Sequence, residues 1–214
     1  MKSVLVIGAG QFGTLIAMRM EELRCEVMIV DTNEDTIDDI APYVTNATIG
    51  DGTNEEFLRT LGVDNYDVCF VTLGSHFQSS LEAISLLSEL GARKVISRAT
   101  NDVQMKFLLR NGADEVVYPE KQTALRIATK YASDSILDYF HLEQEYNIYE
   151  LKVPKAWHGK TLVQIDARKN YNLNILTIKR GGEVLIPSAD TMVKSEDIAF
   201  VLGKFEDVKR ALRI

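Results

Sequence analysis

The chain has 214 residues, enough for one large domain or two small ones, and its 46% hydrophobic content supplies an ordinary buried core. A formal charge of −7 without any basic stripe excludes general nucleic-acid binding, which relies on clustered Lys and Arg to neutralise phosphates. No run of about 18 apolar residues and no charged-then-apolar leader is seen, so neither direct membrane insertion nor export is expected, and any membrane role runs through a partner.

The first predicted strand covers residues 3–7, where Val4-Leu5-Val6-Ile7 is continuous and apolar, as suits a strand covered on both faces. Gly8-Ala9-Gly10-Gln11-Phe12-Gly13 follows at once. A helical pattern over 11–24 then carries Leu15, Ile16, Met18 and Met20, and a second strand over 26–30 ends at Asp31. This is a nucleotide-binding βαβ unit. Gly8 permits the tight turn, Gly10 lets the backbone approach a pyrophosphate, Gly13 lets the helix lie on the sheet, and Asp31 accepts hydrogen bonds from ribose hydroxyls. The anion sits on the helix N-terminus, which favours negative charge. Thr32-Asn33-Glu34-Asp35 offers no Arg to a 2′-phosphate, which disfavours NADP.

Up to about residue 118, short apolar runs alternate with helical patterns, the signature of a parallel sheet wound on both faces. Six strands are predicted over 3–7, 26–30, 46–49, 68–73, 94–98 and 115–118, with helices over 11–24, 34–41, 55–61, 76–90 and 102–111. Gly62, Gly91 and Gly112 each follow a helical run, where a C-terminal glycine is wanted. Three segments fall at the carboxyl ends of strands, the edge at which doubly wound sheets bind ligands. They are Gly50-Asp51-Gly52-Thr53-Asn54, Thr72-Leu73-Gly74-Ser75 and Arg98-Ala99-Thr100-Asn101. Each also has a plainer reading: Thr53 or Asn54 as a helix cap, Asp51-Gly52 as a turn, Arg98 as a surface ion pair.

Pro119 ends the sixth strand, and 120–140 reads as one long helix with Leu125, Ile127, Ala128, Tyr131, Ile136, Leu137 and Phe140 apolar. That array is wider than one face needs. It links to the next lobe, packs on a second subunit, or closes the first lobe as a plain final helix. From about residue 145 the pattern is a smaller α+β lobe. Tyr149, Leu151 and Val153 alternate with polar residues, a helix is predicted over 161–169, and strands over 174–179 and 183–186 flank Gly181-Gly182. A strand over 198–202 and a helix over 205–213 complete it. The expected organisation is a Rossmann-like doubly wound lobe over 1–120, a crossover helix and dimer contact over 121–144, and a C-terminal lobe over 145–214. Cys25 and Cys69 read as buried free thiols, and His76, His141 and His158 are too scattered for a metal motif.

The glycine loop, Val30-Asp31, Gly50-Asp51-Gly52-Thr53, Val71-Thr72-Leu73-Gly74, the run Gly112-Ala113-Asp114-Glu115-Val116-Val117-Tyr118-Pro119-Glu120 and the C-terminal lobe are similar, over essentially the whole chain, to the potassium-uptake regulatory subunits of the Trk/Ktr type. Those subunits contain an RCK domain, the regulator of potassium conductance. The resemblance implies a non-catalytic cytoplasmic protein, peripheral to the inner face of the cell membrane through its partner. Homodimers would assemble into an octameric ring beneath a potassium-translocating membrane subunit, and nucleotide would change the ring's shape. It implies Gly8, Gly10 and Gly13 at the phosphates, Asp31 at the ribose, Asp51 and Thr72 on the nucleoside side, and Arg98 reaching phosphate. Gln11, Phe12, Thr32, Thr53, Leu73 and Gly74 join them around the cofactor, and Glu120 holds Mg2+ or another cation near the phosphates. The implied ligand is an adenine nucleotide. Gln11 stands where some ATP-responsive relatives carry Arg, so NAD(H), ADP and AMP stand beside ATP as ligands. The small lobe resembles one that binds cyclic di-AMP in a dimer cleft, which implies Ile165, Arg168, Ile175 and Pro187 as its contacts.

Two other readings compete. An NAD-dependent oxidoreductase would use the same glycine loop, with His76 as its proton-transfer group, yet there is no Tyr-x-x-x-Lys and no clear substrate domain. A redox-sensing repressor would need a basic winged-helix segment, and none is present.

Overall fold

Continuous apolar runs dictate the first sheet. The computed structural model describes residues 1–74, 76–143 and 145–214. In it β1 (Ser3–Ile7), β2 (Glu26–Asp31), β3 (Asn46–Ile49), β4 (Val68–Val71), β5 (Val95–Arg98) and β6 (Glu115–Val117) form one parallel sheet in the order β3-β2-β1-β4-β5-β6. This is the Rossmann-like architecture expected from the sequence, with the order reversing between β1 and β4. Helices α1 (Gln11–Glu22), α2 (Glu34–Ile40), α3 (Glu55–Leu61), α4 (Phe77–Glu89) and α5 (Asp102–Arg110) connect the strands. They cover both faces, so Val4, Leu5, Val6 and Ile7 of β1 are all buried. Leu5 and Ile7 join a cluster with Val71, Ile84 and Leu108, whereas Val4 and Val6 join Ala17, Ile29 and Ile37 on the opposite face. Burial at about 2 kcal/mol for each such side chain makes β1 the spine of the sheet.

Two compact units divide the chain, Met1–Glu120 and Lys121–Ile214. The boundary falls in the first turn of α6 (Pro119–Tyr131), and here the structure departs from the expected helix over 120–140. The helix stops at Tyr131, and Ile136–Glu143 is a strand, β7. The expected crossover segment is therefore half helix and half sheet, and its last residue, Gln144, lies outside the described residues.

The second unit has an antiparallel sheet of β7, β8 (Tyr146–Lys152), β9 (Asn174–Arg180), β10 (Glu183–Leu185) and β11 (Ile198–Lys204), in the order β10-β9-β11-β8-β7. The helix expected over 161–169 is two short ones, α7 (Leu162–Ile165) and α8 (Ala167–Tyr171), because Asp166 between them turns left-handed at φ 42°. With α9 (Phe205–Leu212) they enclose a core of Tyr149, Leu151, Trp157 and Val201, in which Tyr149 stacks between Tyr139 and Phe205 at 5.8 and 6.2 Å.

Candidate functional site

The glycine loop joins β1 to α1 at the carboxyl edge of the first sheet. Gly8 sits at φ 102°, a conformation that side chains resist, and its N–H donates to Val30 O at 2.8 Å. Gly13 is held by close approach: a Cβ there would lie 2.0 Å from Gly8 O and 2.5 Å from Thr72 Oγ1. Gly10 differs, since a Cβ built on it meets nothing within 4 Å. Gly10 also begins α1, and that start is bare. Helices α2, α3 and α5 are capped by the side chains of Asn33, Asn54 and Asn101 and carry acidic residues in their first turns, but α1, like α4, has neither. Its first amides and the positive end of its dipole are thus left to an anion, and they fit a nucleotide pyrophosphate.

Beside this loop lies a crevice of about 260 Å³. Asp31, Thr32, Asp51, Thr53 and Leu73 of the expected set line it, together with Ile7, Val30, Gly50, Gly52, His76 and Ser79. Asp31 ends β2 and is already tied to the loop: one carboxylate oxygen accepts from the Ala9 N–H at 2.7 Å, the other from the Asn33 N–H at 2.9 Å. Each oxygen keeps a lone pair for a ribose hydroxyl. Asp51 accepts from the Thr53 hydroxyl at 2.7 Å and the Thr53 N–H at 2.8 Å, and these bonds hold its carboxyl below the ordinary value against a smaller opposing effect of burial. Asn54 accepts from the Phe57 N–H, so the capping role falls to it rather than to Thr53.

Thr72 has a different place from the one expected. It is 6% exposed, and its hydroxyl is committed to backbone, at 2.6 Å from Gly8 O and 3.1 Å from Ile7 O. It braces the loop from behind. Gly74 borders Arg98, whose guanidinium lies over the Phe12 ring at 5.6 Å and pairs with Glu120. Buried Arg98 Nε has no hydrogen-bond partner among the described residues, so the cation retains an unused donor next to the loop. Burial pushes the Glu120 carboxyl up, but its own backbone N–H and Arg98 outweigh this and hold it below the ordinary value. Glu120 does not fit a cation site by itself: it faces a guanidinium, and no group of three or more His, Cys, Asp or Glu side chains that could hold a metal exists among the described residues. Gln11 is exposed at the loop, and Ser75 lies outside the described residues.

Residues 4–119 match the TrkA-N domain and residues 148–214 the TrkA-C domain. The chain belongs to the Trk/Ktr family of potassium-uptake proteins. It is 38% identical to Ktr system potassium uptake protein C of Bacillus subtilis (strain 168) and 32% identical to Ktr system potassium uptake protein A of the same organism. Each match covers 98% of this chain and 95% of the relative. A solved structure described as the GsuK channel bound to NAD shares the fold, with a TM-score of 0.69 at 18% identity. That match covers 99% of this chain and 39% of the channel's.

Elsewhere in this Trk/Ktr protein, the four residues expected at a second ligand do not all meet. Arg168, Ile175 and Pro187 line one groove of about 370 Å³ in the second unit, where Arg168 donates to Asn174 Oδ1 at 2.7 and 2.9 Å. Ile165 is 3% exposed and belongs to the core of that unit, so it offers no face to a ligand. The His76 ring lines the first crevice and has no hydrogen-bond partner among the described residues. Cys69 is buried with its thiol pushed up to about 12, which makes it inert, while Cys25 is only half-buried. No helix among the described residues is long and apolar enough to cross a membrane.

The sequence reading missed Ile7, Val30 and Ser79 as crevice residues. Ile7 and Val30 carried a signal only as the last residues of their strands. Ser79 lies in the first turn of α4, three positions after His76, and nothing in its own identity marks it.

Proposed function

We propose that this protein is the nucleotide-sensing regulatory subunit of a potassium-uptake system, with an adenine nucleotide in the crevice at the carboxyl edge of β1, β2 and β4. The observation that carries the reading is the uncapped start of α1 with open space above Gly10, adjoining a crevice that holds Asp31 and Asp51. The Ktr relatives and the fold shared with a channel solved with NAD support it.

In this reading Gly8, Gly10 and Gly13 frame the phosphates with the amides of Gln11 and Phe12. Asp31 and Thr32 take the ribose, and Asp51, Thr53 and Leu73 the nucleoside. Arg98 reaches toward phosphate with its guanidinium. NAD(H), ATP, ADP and AMP share the required chemistry. Cyclic di-AMP at Arg168, Ile175 and Pro187 is the second ligand of this reading.

The work done is mechanical. A ligand shifts two quaternary shapes only through unequal affinity for them, and moving a 1:99 population to 99:1 takes about 5.5 kcal/mol of difference. A phosphate group supplies such a difference, because its charge is neutralised by one arrangement of donors and not by another. Homodimers assembled into an octameric ring under a potassium-translocating membrane partner, on its cytoplasmic side, give those shapes a readout. Exposed Leu125, Ile127 and Tyr131 of α6 supply apolar area for such assembly. The chain performs no catalysis in this account.

Small-angle scattering of the assembled protein, with NADH, ATP, ADP and AMP added singly, tests the reading. At least one should change the curve, and Asp31→Ala should abolish that change. Curves that stay the same for every ligand would refute it.

A further inference from the structure

The second unit has another groove, of about 480 Å³, that shares no lining residue with the one at Arg168. Lys152, Lys155, His158 and Arg213 line it, and no Asp or Glu does, although the chain has 31 acidic residues against 24 basic ones. Several other cations of this unit are paired, although Lys160, Lys169 and Lys194 enter no ion pair among the described residues. Arg126 pairs with Asp138, Arg180 with Asp197, Lys204 with Glu145 and Arg210 with Asp207. Among the described residues Lys152, Lys155 and Arg213 enter no such pair.

Three basic residues without an ion pair among the described residues thus line one concave surface. The Ser135 hydroxyl adds a neutral donor to the lining, the Ser195 hydroxyl is spent on Glu196 Oε2 at 3.1 Å, and His158 is anchored by donating from Nε2 to Val153 O at 3.2 Å. Buried Val153 and Ala211 give the groove an apolar base. The C-terminal end of α9 lies at the rim and opposes an anion with about half an elementary charge, which three full cations outweigh.

We infer that this groove binds a phosphate-bearing ligand, a phosphomonoester or phosphodiester whose apolar portion rests on Val153 and Ala211. A carboxylate brings two oxygens and one charge, and leaves most of these donors unused. A phosphate group brings more acceptor oxygens and, as a monoester, up to two charges, and Arg engages it with two parallel hydrogen bonds. Free phosphate esters and phospholipid headgroups share this chemistry. The inference does not depend on what occupies the crevice of the first unit.

The test uses the full chain carrying Gly10→Val, which removes the first crevice as a phosphate site. Inorganic pyrophosphate is titrated calorimetrically, and co-sedimentation is measured with phosphatidylcholine vesicles with and without phosphatidylglycerol. Binding of either anionic probe is expected, weakening as salt is raised and falling at least about tenfold in Lys152→Gln/Arg213→Gln. Pyrophosphate binding alone assigns the groove to free phosphate esters, and vesicle binding alone assigns it to headgroups. The three basic side chains are exposed, so Lys155→Gln is a second variant that leaves the core intact and should weaken binding in the same direction. Failure of both probes, undiminished binding in the variants, or binding of polyglutamate in place of both probes would overturn the inference.

Discussion

Gly10 and Gly13 belong to one loop and do opposite things. A Cβ on Gly13 would collide with Gly8 O at 2.0 Å, whereas a Cβ on Gly10 would meet nothing within 4 Å. Gly13 closes α1 onto the sheet, and Gly10 keeps the start of α1 bare. The same division runs along the whole edge. Thr72 stands with Gly13 as a brace, while Asp31 and Asp51 line the crevice and Gly10 leaves open space at the start of α1. A binding fingerprint therefore mixes residues that only brace the fold with residues that also leave room or acceptors for a ligand, and contact geometry separates them.

Breaking the brace should have the largest effect. Gly13→Ala forces α1 away from Gly8 and is expected to cost about 3 kcal/mol of stability, read as a lower urea midpoint; an unchanged midpoint would mean that the close approach constrains nothing. Gly10→Val sharpens the contrast. Nucleotide affinity should fall at least about 100-fold, or about 2.7 kcal/mol, while stability moves by less than about 1 kcal/mol. If both glycine variants lose stability equally, the division is wrong.

Thr72→Val removes the hydroxyl that donates to Gly8 O and leaves that carbonyl short of a donor, while Ile7 O keeps the Thr72 N–H at 2.8 Å, at a cost of about 2 kcal/mol. Calorimetry on the still-folded variant should find its affinity lowered far less than that of Gly10→Val. Lost affinity at full stability would return Thr72 to the ligand's side. The smallest effect concerns acid. Thr53 holds Asp51 below 3.8 in the folded chain, so the contribution of this pair is complete above that value and disappears as pH falls through the lower folded-state value. Thr53→Ala should flatten the loss of stability in that window, and pH-dependent urea unfolding that matches the wild type would remove the pair from the account.

The first sheet was legible because its strands are buried on both faces and read as unbroken apolar runs; β1 and β3 keep their expected limits. The second sheet hid β7. Bulges between Ile136 and Asp138 and between His141 and Glu143 interrupt its two-residue alternation, so Ile136, Leu137 and Phe140 mimic helical spacing. The break at Asp166 was invisible for a similar reason, since apolar positions on either side continue a helical pattern across one left-handed residue. At the crevice, residue type announced Asp31 and Asp51. It could not announce whether Thr72 turns toward ligand or backbone, nor that Arg98 lies between Phe12 and Glu120, because those are outcomes of packing between strands distant in sequence.

The central claim is that an adenine nucleotide binds at the uncapped start of α1. Isothermal titration of the wild type and Gly10→Val with NADH, ATP, ADP and AMP addresses it most directly. The account predicts that at least one of the four binds the wild type, one per chain, and that the same ligand gives no binding heat with the variant. Equal affinity in the two proteins, or no binding of any of the four to the wild type, would contradict it.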